Sequence, residues 1–398
     1  MAFLLGAAAF VVALLASVML HEAGHLLTAK RFGMKATQYF VGFGPTLWSR
    51  RRGETEYGVK AIPLGGFVKI VGYTPLEEVD PADRGRAFYR QPASRRAVVI
   101  GAGVVANFAV AFLLLALMAM TVGVRDQGTV TATVDEVTAC VPADLQGECG
   151  KGRPPSPAAS AGLRAGDRVV SFNGVRVNDE WARLRDAIDA SEPGRTVPVV
   201  VQRGGARTTL YVRLAEVGGA PFVGMAAKVV GAGYDRTGPA GAVRFAGRAI
   251  GTSLEGIGRT LADLPSAIPK LFSPERASTP GGQVGSVVGA TDVSGQIFSS
   301  EGSARDKLAL FLSLVVSVNI FLGALNVLPL LPLDGGHLAV VAYERVRVRI
   351  NRLRGRPDSG TVDLTRLMPL TYLAVLVLVG LGVLLILADL VNPLKLPQ

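Results

Sequence analysis

The stretch Met19–Leu26 reads MLHEAGHL and contains an HExxH pattern. Residues four apart on a helix lie on the same face, so His21 and His25 are expected side by side. Two such imidazoles can bind one zinc ion, and the intervening Glu22 can act as general base toward a water molecule. Two of the chain's three histidines are in this motif. The pattern predicts a zinc hydrolase, with a chance match as the alternative.

The segment before this motif is almost wholly apolar from Met1 to Leu20, and 49% of the 398 residues are hydrophobic. Apolar stretches of this length can cross a bilayer. We predict four transmembrane helices, at 1–29, 97–124, 306–334 and 367–389. Asn107 lies in the middle of the second, where a polar side chain normally faces the protein interior. The metal site is therefore predicted at or inside the membrane.

The net charge of +11 is concentrated beside these apolar stretches. Thirteen Lys and Arg residues fall between Lys30 and Arg96, and seven more between Arg345 and Arg366. The sequence contains no basic patch with interleaved aromatic residues, so membrane topology explains the charge better than nucleic acid does. The region 30–96 and the loop 335–366 are then cytoplasmic, and both chain termini lie on the opposite side.

The cytoplasmic region 30–96 contains strand-like pieces. Residues 38–48 and 56–70 fit two short strands of a hairpin, interrupted by Gly65 and Gly66. Glycine within a strand permits a bulge or a close backbone approach. A loop that dips into the membrane and an ordinary surface hairpin are both consistent with this pattern.

Residues 125–230 predict a small soluble α/β domain, with short β-branched runs and one helix at 179–190. The segment Ser156–Gly174 reads SPAASAGLRAGDRVVSFNG and resembles a PDZ domain of bacterial envelope proteases. That resemblance implies a groove that accepts an extended peptide by β-augmentation, or a steric plug without a ligand. On the predicted topology the domain is extracytoplasmic, which favours a Cys140–Cys149 disulfide over two free thiols.

The region 231–305 follows this domain. Apolar residues at steps of three and four predict an amphipathic helix at 240–272, lying on a membrane surface or packed on a neighbour. Residues 273–305, rich in Gly, Ser and Thr, predict a linker. Residues 390–398 are a short tail.

A second motif lies at Asn326–His337, which reads NVLPLLPLDGGH. Asp334 is predicted at the edge of an apolar span, where an unpaired carboxylate is costly and a bound metal would offset that cost. Pro329 and Pro332 are expected to break the helix and free backbone groups. His337 is the competing third metal ligand.

The combination of HExxH, a glycine-containing β-loop, a PDZ-like insert and NxxPxxxLDG resembles the bacterial site-2 proteases of the RseP type, which are intramembrane zinc metalloproteases. The resemblance implies that His21, His25 and Asp334 bind Zn²⁺ and that Glu22 is the general base. It also implies substrate contacts, at Asn326, Pro329, Gly65, Gly66 and Phe67. The chain departs from the family pattern in its second proline, which stands at Pro332, one residue later than is usual.

The expected fold is a membrane α-helical protein of four transmembrane helices, with a membrane-associated β-loop and an inserted extracytoplasmic α/β PDZ domain. The resemblance implies residence in the bacterial cytoplasmic membrane and regulated cleavage of single-pass membrane proteins such as anti-sigma factors, after an upstream site-1-type protease. Two other classes remain as alternatives. One is a catalytically inactive PDZ-bearing membrane scaffold, and the other is a metal transporter, which the absence of an internal repeat disfavours.

Overall fold

The structure is a computed structural model that describes residues 1–73, 77–126, 128–142, 149, 152–273, 276, 284–357, 362 and 364–394. The chain divides into two compact units, one comprising residues 1–122 with 236–398 and the other residues 123–235. Part of the predicted linker at 273–305 and the end of the predicted tail, residues 395–398, lie outside the described residues.

The first unit begins with helix α1 (Ala2–Arg31), followed by strands β1 (Ala36–Arg52) and β2 (Thr55–Ile70) and helix α2 (Ala93–Thr121). At about 1.5 Å per residue, α1 is about 45 Å long, more than the hydrocarbon core of a bilayer. Lys30 and Arg31 lie in its last turn, where positive charge complements the helix dipole. The helix therefore carries the HExxH motif toward its basic end.

The predicted hairpin is confirmed, with strands at 36–52 and 55–70 in place of the predicted 38–48 and 56–70, but its pairing is not that of a simple hairpin. β1 and β2 are long and irregular, and residues 38–41 have partners on two sides. Tyr39 is paired with both Val68 and Tyr57, and Phe40 with both Phe67 and Gly58. Segment 66–70 consequently forms an outer edge of the sheet, because β2 bends back at its Gly-Gly pair.

The second unit has its own hydrophobic core. Its strands are β3 (Val124–Asp126), β4 (Thr129–Val137), β5 (Arg168–Phe172), β6 (Val175–Arg176), β7 (Thr196–Arg203), β8 (Ala206–Arg213), β9 (Ala215–Val217), β10 (Ala220–Phe222), β11 (Met225–Val230) and β12 (Gly233–Asp235). Helix α3 (Pro157–Ala161) is capped by Ser156, and α4 (Trp181–Asp189) lies within the predicted helix at 179–190. The largest sheet has the order β11-β4-β5-β7-β8, with β6 on β5. A disulfide joins Cys140 and Cys149.

The first unit resumes with helices α5 (Pro239–Ala267), α6 (Val287–Ser299), α7 (Ala304–Val327), α8 (Asp334–Leu353) and α9 (Met368–Val391). Among the described residues, α1, α2, α7 and α9 are the four helices long and apolar enough to cross a membrane. α5 buries Ala242 and Ala246, while its apolar Val243 and Leu254 remain exposed.

Three predicted segments in this half of the chain differ from the structure in their secondary structure. The predicted third span at 306–334 is too long, since α7 ends at Val327. Leu328, directly before Pro329, has an extended backbone, as residues before proline usually do. Leu333 is also extended and directly precedes the start of α8. The predicted loop at 335–366 is largely helix α8, which buries Val341 and Glu344 on one side. The predicted linker at 273–305 contains α6, because Ser286 caps it and its small buried residues let it approach α1.

Candidate metal centre

The helices bring two histidines of α1 and the first residue of α8 to one point. His21 Nε2 lies 3.2 Å from His25 Nε2. Asp334 Oδ2 lies 3.1 Å from His21 Nε2 and 3.4 Å from His25 Nε2. Both histidines are buried, and the Asp334 side chain is 13% exposed. Among the described residues, these three form the His, Cys, Asp and Glu cluster that could hold a metal ion.

The chemistry of this cluster fits zinc. Ligand atoms about 2.0–2.1 Å from a tetrahedral zinc ion are about 3.3 Å from one another, close to the three separations observed here. Two imidazole nitrogens and one carboxylate oxygen are a common catalytic zinc donor set. Asp334 Oδ2 is buried and has no hydrogen-bond partner, as expected of an atom that is completed by a metal.

Helix α2 orients both imidazoles from behind. His25 Nδ1 lies 2.8 Å from the carbonyl oxygen of Val99, which can only accept, so Nδ1 carries the proton and Nε2 keeps its lone pair. His21 Nδ1 lies 3.2 Å from the side-chain amide of Asn107, which is fully buried. A partner on the far nitrogen is what fixes the orientation of a metal-binding histidine.

Two glycines make this close packing possible. A Cβ atom at Gly103 of α2 would overlap the imidazole rings of His21 and His25. A Cβ atom at Gly24 of α1 would overlap the backbone of Ala102 in α2. The metal centre therefore depends on backbone contact between α1 and α2, which a larger residue at either position would prevent.

The turn between α7 and α8 positions Asp334 beside the two histidines. A Cβ atom at Gly335 would overlap the carbonyl oxygens of Val327 and Leu328, and one at Gly336 would overlap the backbone at Leu330 and Leu331. The two glycines thus allow the first turn of α8 to fold back on the end of α7. Asp334 is in that first turn, where a carboxylate is favoured by the helix dipole.

Glu22 points from α1 toward the sheet rather than joining the three ligands. Its Oε2 accepts a hydrogen bond of 3.0 Å from the backbone N–H of Val68, in the edge segment of β2. The Tyr39 hydroxyl donates to the carbonyl oxygen of Met19 at 2.6 Å. Burial raises the pKa of Tyr39 to about 12, and the nearby Glu22 acts in the same direction. The sheet is therefore fixed to the helix within one turn of the motif.

His337 lies apart from the cluster of His21, His25 and Asp334. Its ring contacts Tyr73 edge-on, with a centroid separation of 5.1 Å. Burial raises the pKa of Tyr73, so that its hydroxyl stays protonated. The geometry accordingly favours Asp334 over His337 as the third ligand.

The residues predicted to contact substrate are in different surroundings. Gly66 packs on α1, since a Cβ atom there would overlap the sulfur of Met19. Gly65 has a φ of 130°, a conformation that favours glycine. The Phe67 ring stacks on the rings of Phe40 and Phe43. Asn326 is half-buried in the last turn of α7, and Pro329 borders a cavity of about 660 Å³.

Sequence reasoning missed several contributors to this centre. The backbone groups of Val68 and Val99 carry no side-chain signal, so only the folded chain reveals them. Gly103 belongs to a small-residue run, GAGVVAN, which indicates close helix packing without naming the partner. Asn107 was predicted to face the interior, and the structure confirms this, but the sequence did not connect it with His21.

Comparison with known proteins agrees with this geometry. A family model described as peptidase family M50 matches residues 9–364. Zinc metalloprotease Rip1 of Mycobacterium tuberculosis is 38% identical, with 100% of both chains aligned. The protein of that name from Mycolicibacterium smegmatis is 36% identical, again with 100% of both chains aligned. A putative zinc metalloprotease of Nostoc sp. is 28% identical over 94% of this chain and 92% of its own.

Among solved structures, a PDZ domain of an SdrC-like protein from Listeria monocytogenes aligns with 26% of this chain and 90% of its own. The identity is 20% and the TM-score is 0.17.

Proposed function

Since this chain belongs to peptidase family M50 and is an intramembrane zinc metalloprotease of the site-2 type, we propose that His21, His25 and Asp334 are its zinc ligands. The observation that carries this proposal is the convergence of three ligand atoms within 3.4 Å of one another. Three protein ligands leave one tetrahedral position open, which is the arrangement of a catalytic rather than a structural zinc site.

Glu22 is the general base in this proposal. When bound, zinc would polarise the scissile carbonyl and make a water molecule more acidic. Glu22 accepts the proton of the attacking water and then delivers it to the leaving amine. The hydrogen bond from Val68 N–H holds the carboxylate in place for both transfers.

The edge of β2 receives the substrate. A transmembrane helix satisfies its own amide groups, so it must unwind before a peptide bond can be cut, and the released groups need new partners. Segment 66–70 supplies an outer edge beside Glu22, to which an extended peptide can add as a further strand through backbone groups other than the Val68 N–H. Gly65 and Gly66 allow the substrate backbone to approach this edge closely. Phe67 stabilises the edge strand by stacking on neighbouring rings of the sheet. Asn326 and Pro329 contact the unwound substrate segment from the side of α7.

The topology follows from the basic residues and from contacts between helix ends. The cytoplasmic side carries β1, β2 and α8, and the two clusters of Lys and Arg lie within or beside these elements. The opposite side carries the start of α1 and the end of α9. Ser294 Oγ of α6 donates to the carbonyl oxygen of Gly6, and Arg276 contacts Asp389, so α6 and Arg276 accompany these two ends.

We assign the second unit as a PDZ domain on the extracytoplasmic side of the bacterial cytoplasmic membrane. An oxidising compartment suits the disulfide between Cys140 and Cys149. There the domain excludes substrates with intact outer domains or binds the new end left by an upstream site-1-type protease. The substrates proposed are single-pass membrane proteins, with membrane-bound anti-sigma factors as the leading class.

The test is cleavage of a purified single-pass substrate in detergent by the wild type, Glu22→Gln and a matched control, Glu255→Gln. Glu255 is exposed on α5 and pairs only with Arg259 of the same helix in the contacts seen. Glu22→Gln is expected to abolish cleavage while retaining zinc, and Glu255→Gln to cleave like the wild type. Equal cleavage by Glu22→Gln and the wild type would remove Glu22 from the mechanism.

A further inference from the structure

The buried amide of Asn107 takes no part in the proton transfers assigned to Glu22. Asn107 is completely inaccessible in the middle of α2, a helix that is otherwise apolar at this depth. Burying an amide in an apolar environment costs free energy unless both its ends are hydrogen-bonded. Its Nδ2 lies 3.2 Å from His21 Nδ1, while its Oδ1 is buried without a hydrogen-bond partner.

The orientation of this amide matters for metal binding. If Nδ2–H of Asn107 donates to His21 Nδ1, the neutral imidazole carries its proton on Nε2, which then has no lone pair for a metal. Yet Nε2 is the atom that lies 3.1 Å from Asp334 Oδ2 and 3.2 Å from His25 Nε2. A metal-binding Nε2 requires the proton on Nδ1, and that proton requires an acceptor.

Asn107 can supply that acceptor without moving its backbone. Half a turn about the last side-chain bond exchanges the oxygen and nitrogen of an amide and keeps its shape, and the two orientations are nearly indistinguishable by shape alone. The oxygen that now has no partner would then face His21 Nδ1–H. On His25, the carbonyl oxygen of Val99 already performs the equivalent function at 2.8 Å.

We propose that Asn107 is a positioning residue that accepts the Nδ1–H of His21 through its amide oxygen and thereby fixes the tautomer whose Nε2 binds zinc. The proposal rests on the proposed function of His21 as a zinc ligand. Asn107 itself contacts neither the metal nor the substrate. Loss of such a partner typically weakens metal binding about 10–100-fold.

The experiment measures the zinc affinity of the full-length protein in detergent by competition with a chelator. Asn107→Leu keeps the approximate volume but removes the acceptor, and Asn107→Asp keeps an acceptor at the same place. The matched control is Asn319→Leu, because Asn319 of α7 is equally buried and bonds to Ser17 Oγ and the Val315 carbonyl at 2.9 Å each. Asn107→Ala replaces Asn107→Leu if the larger side chain prevents folding.

We expect Asn107→Leu or Asn107→Ala to weaken zinc binding about 10–100-fold, while Asn107→Asp and Asn319→Leu retain the wild-type affinity. The thermal stability of the zinc-free protein is measured in parallel. A purely structural role would lower that stability in Asn107→Leu and Asn319→Leu alike and leave both zinc affinities unchanged, which would overturn the proposal. Equal weakening by the Asp and Leu variants would also overturn it, since the acceptor would then be irrelevant.

One further variant separates this inference from the function on which it rests. His21→Ala removes the proposed ligand itself. If His21→Ala binds zinc as the wild type does, the proposed metal centre is wrong and the role of Asn107 falls with it. If His21→Ala loses zinc while Asn107→Leu keeps it, the metal centre stands and only the role of Asn107 is refuted.

Discussion

Two carboxylates in the first unit are nearly buried but have different surroundings. Asp389, near the end of α9, accepts hydrogen bonds from Arg276 Nη2 at 2.6 Å and from Ser286 N and Oγ at 2.6 Å each. Gly289 N adds a fourth at 3.2 Å, so both oxygens are occupied by the protein. Asp334, at the start of α8, directs Oδ2 at two imidazole nitrogens and leaves it without a hydrogen bond.

The difference separates a structural carboxylate from one that is prepared for a ligand. A buried charge must be neutralised, and the chain itself does this for Asp389. The neighbours of Asp334 Oδ2 are imidazole nitrogens that can themselves bind a metal. A bound cation would therefore neutralise the carboxylate and be coordinated by both histidines as well. The residue type is the same at the two positions, and the Asp334 side chain is only somewhat more exposed, at 13% against 1% for Asp389, so the identity of the neighbours is the main difference.

The largest effect on stability is expected from breaking the structural pair. Asp389→Asn leaves the Arg276 guanidinium buried without a counter-charge, which should cost about 3–5 kcal/mol of unfolding free energy. Denaturation of the purified protein measures this loss, with Asp263→Asn on the exposed face of α5 as control. The double variant Arg276→Gln with Asp389→Asn should recover much of the stability. Equal stability of Asp389→Asn and the wild type would contradict the comparison.

A smaller effect is expected where α2 touches the metal centre. Gly103→Ala inserts a methyl group against His21 and His25, and overpacking of this kind costs about 1–3 kcal/mol. Because the displaced groups are the imidazoles, zinc binding should weaken as well, which metal analysis after dialysis would detect. Gly101→Ala is the matched control, since a Cβ atom there meets open space. Normal zinc retention by Gly103→Ala would show that the centre accommodates an added methyl group and does not depend on this close contact.

The smallest effect concerns a third buried carboxylate, in the second unit. Asp167 accepts hydrogen bonds of 2.7 Å from Arg203 Nε and Nη2, and Arg203 together with the Arg164 N–H holds the pKa of Asp167 below its ordinary value. A lowered folded-state pKa means that this stabilisation is complete above the pKa of the unfolded chain, about 3.9, and is lost as the pH falls through the folded value.

The measurement is urea denaturation monitored by Trp181 fluorescence in a Trp48→Phe background. It is made at neutral pH and at pH values below the pKa of aspartate in the unfolded chain. The wild type should lose stability on acidification, and Asp167→Asn should be less stable at neutral pH and respond less to acid. Asp189→Asn, at an exposed helix position, serves as control. Identical acid responses of Asp167→Asn and the wild type would exclude Asp167 as a source of the pH dependence.

The sequence predicted the elements whose signal is local. Four long apolar stretches correspond to α1, α2, α7 and α9, and the β-branched runs of the second unit correspond to its main strands. HExxH defined two converging side chains because a helix repeats every 3.6 residues. Asp334, more than three hundred residues away, was predicted as the third metal ligand only from the free-energy cost of an unpaired carboxylate in an apolar span and from the family resemblance.

The rest depended on tertiary contacts. The end of α7 at Val327 and the start of α8 at Asp334 follow from how Gly335 and Gly336 pack on the preceding turn, which the apolar run alone does not reveal. The capped helix α6 was hidden by its Gly and Ser content, because small residues favour helix contact as well as loops. The hydrogen bond from Val68 N–H to Glu22 requires the register of β2, which bends at two glycines.

The most direct test of the central claim is the zinc content of Asp334→Asn beside that of the double variant Arg276→Gln with Asp389→Asn. Both change buried carboxylates of the same unit, and the double variant leaves no unpaired charge. Metal analysis of the purified proteins should find zinc in the wild type and the double variant and little in Asp334→Asn. Stoichiometric zinc in Asp334→Asn would contradict the assignment of Asp334 as the third ligand and, with it, the metal centre described here.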